Sequence, residues 1–263
     1  MQLRTRLSKD IGRVPIPAGP AARSRQRTPA TAAALLIASF LSFEPFPVCT
    51  QSPVAAKGAT PTAATPVRAS VVIPRVDRPP TLEDFTDMKP VNGMGEKLRR
   101  VSEFVQRDPK DGEPATQRTE VYLGYDDKNL YAVFLAFDTD PKQIRARMSR
   151  RENIWDDDLV QIILDTFHDQ RRAYYFLCNP LGIQDDGIHT EGQGGDDSFD
   201  TLWQSEGKLT SQGYMVRMAI PFRSLRFHPS QHDWGIILER RIPRLDERHF
   251  WPRVSSRVEG LLN

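Results

Sequence analysis

Two apolar runs joined by four turn residues, TEVYLGY-DDKN-LYAVFLAF at residues 119–137, leave the chain little choice but a β-hairpin. In the first run Val121, Leu123 and Tyr125 alternate onto one face, the period of a strand with one buried side. Asp126-Asp127-Lys128-Asn129 supplies the turn. The second run is nearly all apolar from Leu130 to Phe137. That pattern predicts a central strand covered on both faces.

The same reading extends along the chain. Strands are predicted at 159–166, 173–178, 202–209, 214–220, 234–241 and 249–251, with a hairpin around Ser211-Gln212-Gly213. A further strand over 182–190 is expected to be interrupted at Asp185-Asp186-Gly187, and residues 192–199 (GQGGDDSF) to be a loop. Helix signals are few. Thr81 caps a short helix carrying Leu82, Phe85 and Met88 on one face; Asp140-Pro141 opens another through Met148; residues 221–227 read as a helical turn. Many short strands with turns between them imply an all-β fold: an antiparallel β-sandwich, jelly-roll-like, with short helices at its edges.

Charge and composition divide the 263 residues into three. Residues 1–28 hold seven Lys and Arg against Asp10, a net +6 within a chain total of +2, which leaves the remainder at −4. A mildly acidic body does not suit a phosphate backbone, so no nucleic-acid partner is expected. Arg23, Arg25 and Arg27 precede an apolar run, residues 30–43, too short to span a bilayer and suited to an export signal. Residues 1–50 therefore read as a leader, 51–80 as a flexible Pro/Ala-rich linker, and 81–263 as the globular domain. The expected location is outside the cytoplasm: periplasmic, outer-membrane-associated or secreted. Of the two cysteines, Cys49 falls in the leader or linker and Cys178 in a strand, so no disulfide framework is indicated.

Residues 151–187, RRENIWDDDLVQIILDTFHDQRRAYYFLCNPLGIQDDG, concentrate the chemistry. Trp155 precedes Asp156, Asp157 and Asp158. Burying this indole would drag carboxylates with it, so it is expected at the surface. There it either stacks on a sugar ring or caps the end of the sandwich. Trp203 and Trp234 sit in strand patterns and read as core. The acids Asp156, Asp157, Asp158, Asp185, Asp186, Asp196 and Asp197 are expected in loops. Calcium takes six to eight oxygens, and Asp158, Asp185 and Asp186 are the candidates for a structural calcium site; solvated turn acids are the plainer reading. Arg240, Arg241, Arg244 and Arg248 read as ion-pair partners for Glu239, Asp246 and Glu247. The chain lacks G-x-S-x-G, H-E-x-x-H, phosphate-loop and dinucleotide motifs, and its five histidines have no ligand spacing. No catalytic residue is assigned.

The stretches TEVYLGYDDKNLYAVFLAFD, NIWDDDLVQIILD, GYMVRMAIPFRSLRF and WGIILERRI, over roughly residues 80–260, resemble the family 9 carbohydrate-binding module. More narrowly, RRENIWDDDLVQIILDTFHD, NPLGIQDDG and IPFRSLRF resemble the N-terminal module of large bacterial outer-membrane proteins, which lies between a signal peptide and a β-barrel. The resemblance implies a β-sandwich that binds a poly- or oligosaccharide without cleaving it, often beside a glycoside hydrolase, with structural calcium in some members. The family's slot holds a terminal sugar between two tryptophans. Trp155 falls on the first, and Gln161 falls where the family has a carboxylate. Trp251, in the C-terminal region, is the candidate second ring, and Asp157 a candidate hydroxyl contact. The alternative that the resemblance leaves open is a structural or gating domain of an outer-membrane barrel with a decayed sugar site.

Overall fold

The computed structural model describes residues 70–196, 198–228 and 233–262. The chain parts into two units, Met1–Thr62 and Ala63–Asn263, and the described residues all belong to the second. The leader reading, Cys49 and the linker up to residue 69 lie outside the described residues. From residue 70 on, the expected spacer is already globular. Val76 is buried, its N–H donates to the Tyr125 carbonyl, and the Tyr125 N–H donates to the Pro74 carbonyl.

Two antiparallel sheets build the expected β-sandwich. The five-stranded sheet has the order β1-β3-β4-β10-β9. Its strands are β1 (Arg99–Val101), β3 (Thr119–Tyr125), β4 (Asn129–Phe137), β9 (Gln204–Thr210) and β10 (Gly213–Pro221). The seven-stranded sheet has the order β2-β12-β11-β5-β6-β7-β8. It comprises β2 (Val105–Asp108), β5 (Leu159–Asp165), β6 (Arg172–Cys178), β7 (Gln184–Thr190), β8 (Gly194–Asp196), β11 (Gly235–Ile242) and β12 (Glu247–Trp251). The β3–β4 hairpin closes where Asp126 Oδ1 accepts the Lys128 and Asn129 N–H groups at 2.7 and 2.8 Å.

Strand alternation gives each sheet two apolar faces, and each face finds a cover. Between the sheets, Val121, Leu123, Ala132 and Phe134 meet Val160, Ile162, Phe176 and Leu238. On the far side of the five-stranded sheet, Tyr131, Val133, Leu135 and Met215 are covered by Leu82, Phe85, Met88 and Met94. On the far side of the seven-stranded sheet, Leu159, Ile163, Leu177 and Phe250 are covered by Ile154, Val254 and Leu262. These outer covers let β4 be apolar almost throughout.

The helices are shorter than their sequence signals predict. Leu82, Phe85 and Met88 are buried as expected, yet they ride on two single 3-10 turns, Leu82–Asp84 and Thr86–Met88. The left-handed Asp87 (φ 52°) interrupts a continuous helix. Asp140-Pro141 starts only the turn Pro141–Gln143. Beyond it the backbone of Arg145 pairs with Asp158 instead, each N–H donating to the other residue at 2.9 Å. The strand over Gln184–Thr190 runs unbroken through Asp185 and Asp186, and the Gly192-rich loop contains the short β8.

A buried polar group crosses the core. The Arg240 guanidinium, fully enclosed, donates to the carbonyls of Phe137 (2.7 Å) and Arg118 (3.1 Å) and faces Asp138 at 3.5 Å. Arg244 holds the same carboxylate at 2.7 Å. His249, cross-strand from Arg240, rests 2.7 Å from Glu247. Burial holds the His249 imidazole below its ordinary range, with the Arg240 charge acting the same way and Glu247 opposing.

Two consequences are measurable. Phe176 packs edge-on to Trp203, with centroids 5.3 Å apart, in the centre of the inter-sheet core. Phe176→Ala should cost about 3–5 kcal/mol in denaturant unfolding at unchanged slope. His249 gives a pH signature. Below about pH 6.5 the unfolded chain takes up a proton that the folded chain refuses, so stability falls as the pH drops, by up to about 1.4 kcal/mol per pH unit. His249→Gln should flatten the stability curve between pH 7 and 5; parallel curves for both proteins would rule the effect out.

Candidate functional site

Trp155 stands at the tip of a turn closed by the Asp157 N–H donating to the Ile154 carbonyl at 2.9 Å. Ile154 on one side of it is fully buried in the outer apolar layer of the seven-stranded sheet. On the other side Asp157 is also fully buried. One carboxylate oxygen accepts Arg147 Nε at 2.7 Å; the other accepts Asn179 Nδ2 at 3.0 Å and the Arg147 N–H at 3.2 Å. Asn179 Nδ2 also donates to the Arg147 carbonyl at 2.9 Å. With both flanks anchored inward, the indole between them points out and remains 46% exposed.

The exposed ring is as the sequence predicts; the place of the acids is not. The carboxylates were expected to stay in water and keep the tryptophan there. In the structure Asp157 and Asp158 go inside and the ring stays out: Arg147 and Asn179 engage both oxygens of Asp157, and the Arg145 N–H engages one oxygen of Asp158. Burial pushes the Asp158 carboxyl up, while the Arg145 N–H and the Arg240 and Arg244 charges pull it back. Asp157, enclosed with both oxygens engaged, reaches no ligand; its part is to fix the turn. Asp156 is exposed beside Trp155, 3.3 Å from Arg147 Nη2.

Gln161 lies on the outer face of β5, between Glu239 on β11 and Leu177 on β6. Its half-buried carboxamide has no hydrogen-bond partner among the described residues. Trp251 projects the other way. It pairs with Leu238, shares that residue's face and packs against the inter-sheet core, so it forms no second wall opposite Trp155. Trp203 is core, as expected, and its indole N–H donates to Asp186 at 3.1 Å. Trp234 packs edge-on to Phe222 at 6.1 Å.

The candidate calcium ligands are not brought together. Asp185 and Asp186 are consecutive on β7 and face opposite sides of the sheet, in register with Leu177 and Phe176. Asp186 accepts from Arg151, from the Thr201 N–H at 3.0 Å and from Trp203. Asp158 belongs to the Arg145–Arg244 environment. Among the described residues no three His, Cys, Asp or Glu side chains group to hold a metal. This donor set does not fit calcium.

The four C-terminal arginines divide. Arg248 pairs with Glu239 at 2.7 Å, as the sequence predicts, whereas Glu247 takes Thr116 and His249, and Arg240 and Arg244 turn to Asp138. Arg241 was the residue missed. Its guanidinium carbon stands 6.0 Å from the centre of the Trp155 ring. The alternation in GIILERRI already places Arg241 on the same face as Glu239, away from Leu238 and Arg240. Sequence alone does not reveal that the Trp155 turn folds over that face.

The layered sheets define the class as a β-sandwich. No protein-family model and no curated protein matches the sequence. Among solved structures the chain is similar to a protein described as a candidate carbohydrate binder from Bacteroides uniformis, at 13% identity and TM-score 0.47, over 60% of this chain and 78% of that one. It is also similar to a family 9 carbohydrate-binding module from Caldicellulosiruptor kristjanssonii. In complex with cellotriose that module gives 15% identity and TM-score 0.40, over 74% of this chain and 78% of that one. In complex with glucose it gives 15% identity and TM-score 0.42, over 70% and 81%.

Removing the Asp157 carboxylate should loosen the turn without unfolding the sandwich. Asp157→Ala leaves the buried Asn179 amide short of a partner, a cost of about 1–3 kcal/mol. Hydrogen exchange should quicken over residues 145–158 and stay unchanged in β4 and β10. Unaltered exchange in the turn would show that Ile154 alone anchors it.

Proposed function

We propose that this β-sandwich binds a saccharide without cleaving it, with the Trp155 indole as the stacking surface and the Gln161 amide as a partner for sugar hydroxyls. One observation carries the reading: an indole nearly half exposed, on a turn anchored by the fully buried Ile154 and Asp157. A ring held this way loses little freedom when a ligand lies on it, and so gives up little affinity to ordering. The apolar face of a pyranose matches such a surface.

The carboxylates nearby support binding rather than cleavage. Glycoside hydrolysis needs two carboxyl groups presented across the scissile bond. Asp157 is enclosed and engaged, Glu239 is buried against Arg248, and the exposed Asp156 is paired with Arg147. With residues 1–50 read as an export leader, the binding takes place outside the cytoplasm, beside an outer-membrane barrel or a glycoside hydrolase.

Affinity electrophoresis over a panel of neutral and acidic glycans tests the reading. Trp155→Ala should weaken binding roughly tenfold or more, the loss of stacking together with the buried area. Its melting temperature should stay near that of the wild type, since little of the core is touched. Binding to no glycan, or equal binding by both proteins, overturns the proposal.

A further inference from the structure

Arg241 and Arg248 stand directly opposite each other on β11 and β12. Like charges in that position repel unless each is neutralised. Arg248 is neutralised, by Glu239 at 2.7 Å and Asp108 at 3.8 Å. The Arg241 side chain has no hydrogen bond or ion pair to any described residue, and its guanidinium carbon stands 6.0 Å from the Trp155 ring centre. A planar fork of five donors is thus left unused, on a half-buried stem, beside an exposed aromatic face.

Both arginines line a shallow concavity of about 260 Å³ with Asp108, Pro243, Asp246 and Glu247. Asp108 is spent on Arg248, and the Glu247 carboxylate is turned to Thr116 and His249. Asp246 is exposed on a left-handed residue (φ 54°) in the same wall. A wall of mixed sign does not attract a polyanion. It suits one carboxylate delivered to Arg241, which can take it through two parallel hydrogen bonds.

We propose that the Trp155 platform is selective for an acidic saccharide, a glycan that presents a single uronate. The pyranose lies against the indole and its carboxylate is received by Arg241. The separation of 6.0 Å between guanidinium and ring centre puts the cation within reach of a substituent at the edge of a sugar lying there. This inference rests on the saccharide reading above and names the class of sugar that the reading leaves open.

Calorimetric titration of the methyl glycosides of galacturonic and of mannuronic acid, each beside its neutral methyl ester, tests it. The wild type should bind at least one acid roughly tenfold or more tightly than its ester, and added salt should weaken the acid alone. In Arg241→Gln the acid-to-ester ratio should fall towards one, and Arg241→Lys should restore only part of it, because an ammonium lacks the fork. Trp155→Ala should weaken acid and ester together. If acid and ester bind alike and Trp155→Ala weakens both, the platform stands and the selectivity for acid is overturned. A ratio unchanged in Arg241→Gln overturns the role of Arg241. If neither ligand binds, or Trp155→Ala binds as the wild type does, the saccharide reading falls and this inference with it.

Discussion

Burial of the seven-stranded sheet on both faces is the constraint from which the rest follows. Its inner face closes against the five-stranded sheet, but its outer face, with Leu159, Ile163, Leu177 and Phe250, has no third sheet to meet. Left open it would be an apolar patch of the size that drives association. The chain covers it with its own irregular segments: Ile154 from the turn before β5, and Val254 and Leu262 after β12. The turn that delivers Ile154 inward leaves its neighbour Trp155 outside. The platform is therefore a by-product of sealing the sheet.

Irregular backbone laid over a sheet needs polar partners of its own, since it lacks a ladder. Here buried carboxylates serve. Asp157 takes three donors from Arg147 and Asn179, and Asp158 takes the Arg145 N–H. Taking such acids out of water is costly, and pairing them with arginine or amide rarely returns more than was lost. What the arrangement contributes is geometry. Each acid accepts donors from a segment distant in sequence, so the turn has one conformation available.

The hairpins and the sandwich were legible in the sequence because their determinants are local. Period-two alternation sets the faces of β3, β5 and β11, and the side chain of Asp126 builds the β3–β4 turn. The failures share one cause. Asp140-Pro141 is a sound helix start, yet the segment is diverted after Gln143 by the claim of Asp158 on the Arg145 backbone. Asp185 and Asp186 look like turn residues, yet they sit in mid-strand, Asp186 because Arg151 and Trp203 wait for it on the inner face. In each case a partner contributed by another segment overrode the local preference, and no single window of sequence contains both. Trp251 is different. Its inward face follows from the alternation His249-Phe250-Trp251, once Phe250 is known to face out.

The candidate site was legible by halves for the same reason. An indole beside acids marks a place of interest, and the sequence predicts the ring outside, but it does not reveal that two of the acids go inside. Size and hydropathy favour burying tryptophan. The structure buries the aspartates because each has a partner already in place, whereas among the described residues the indole has Arg241 at its side. Local partner supply, not average hydropathy, sorts the residues of this turn into anchor and platform. The same logic isolates Arg241: three neighbouring arginines have carboxylates within reach, and the one whose side chain has no partner among the described residues stands beside the exposed ring.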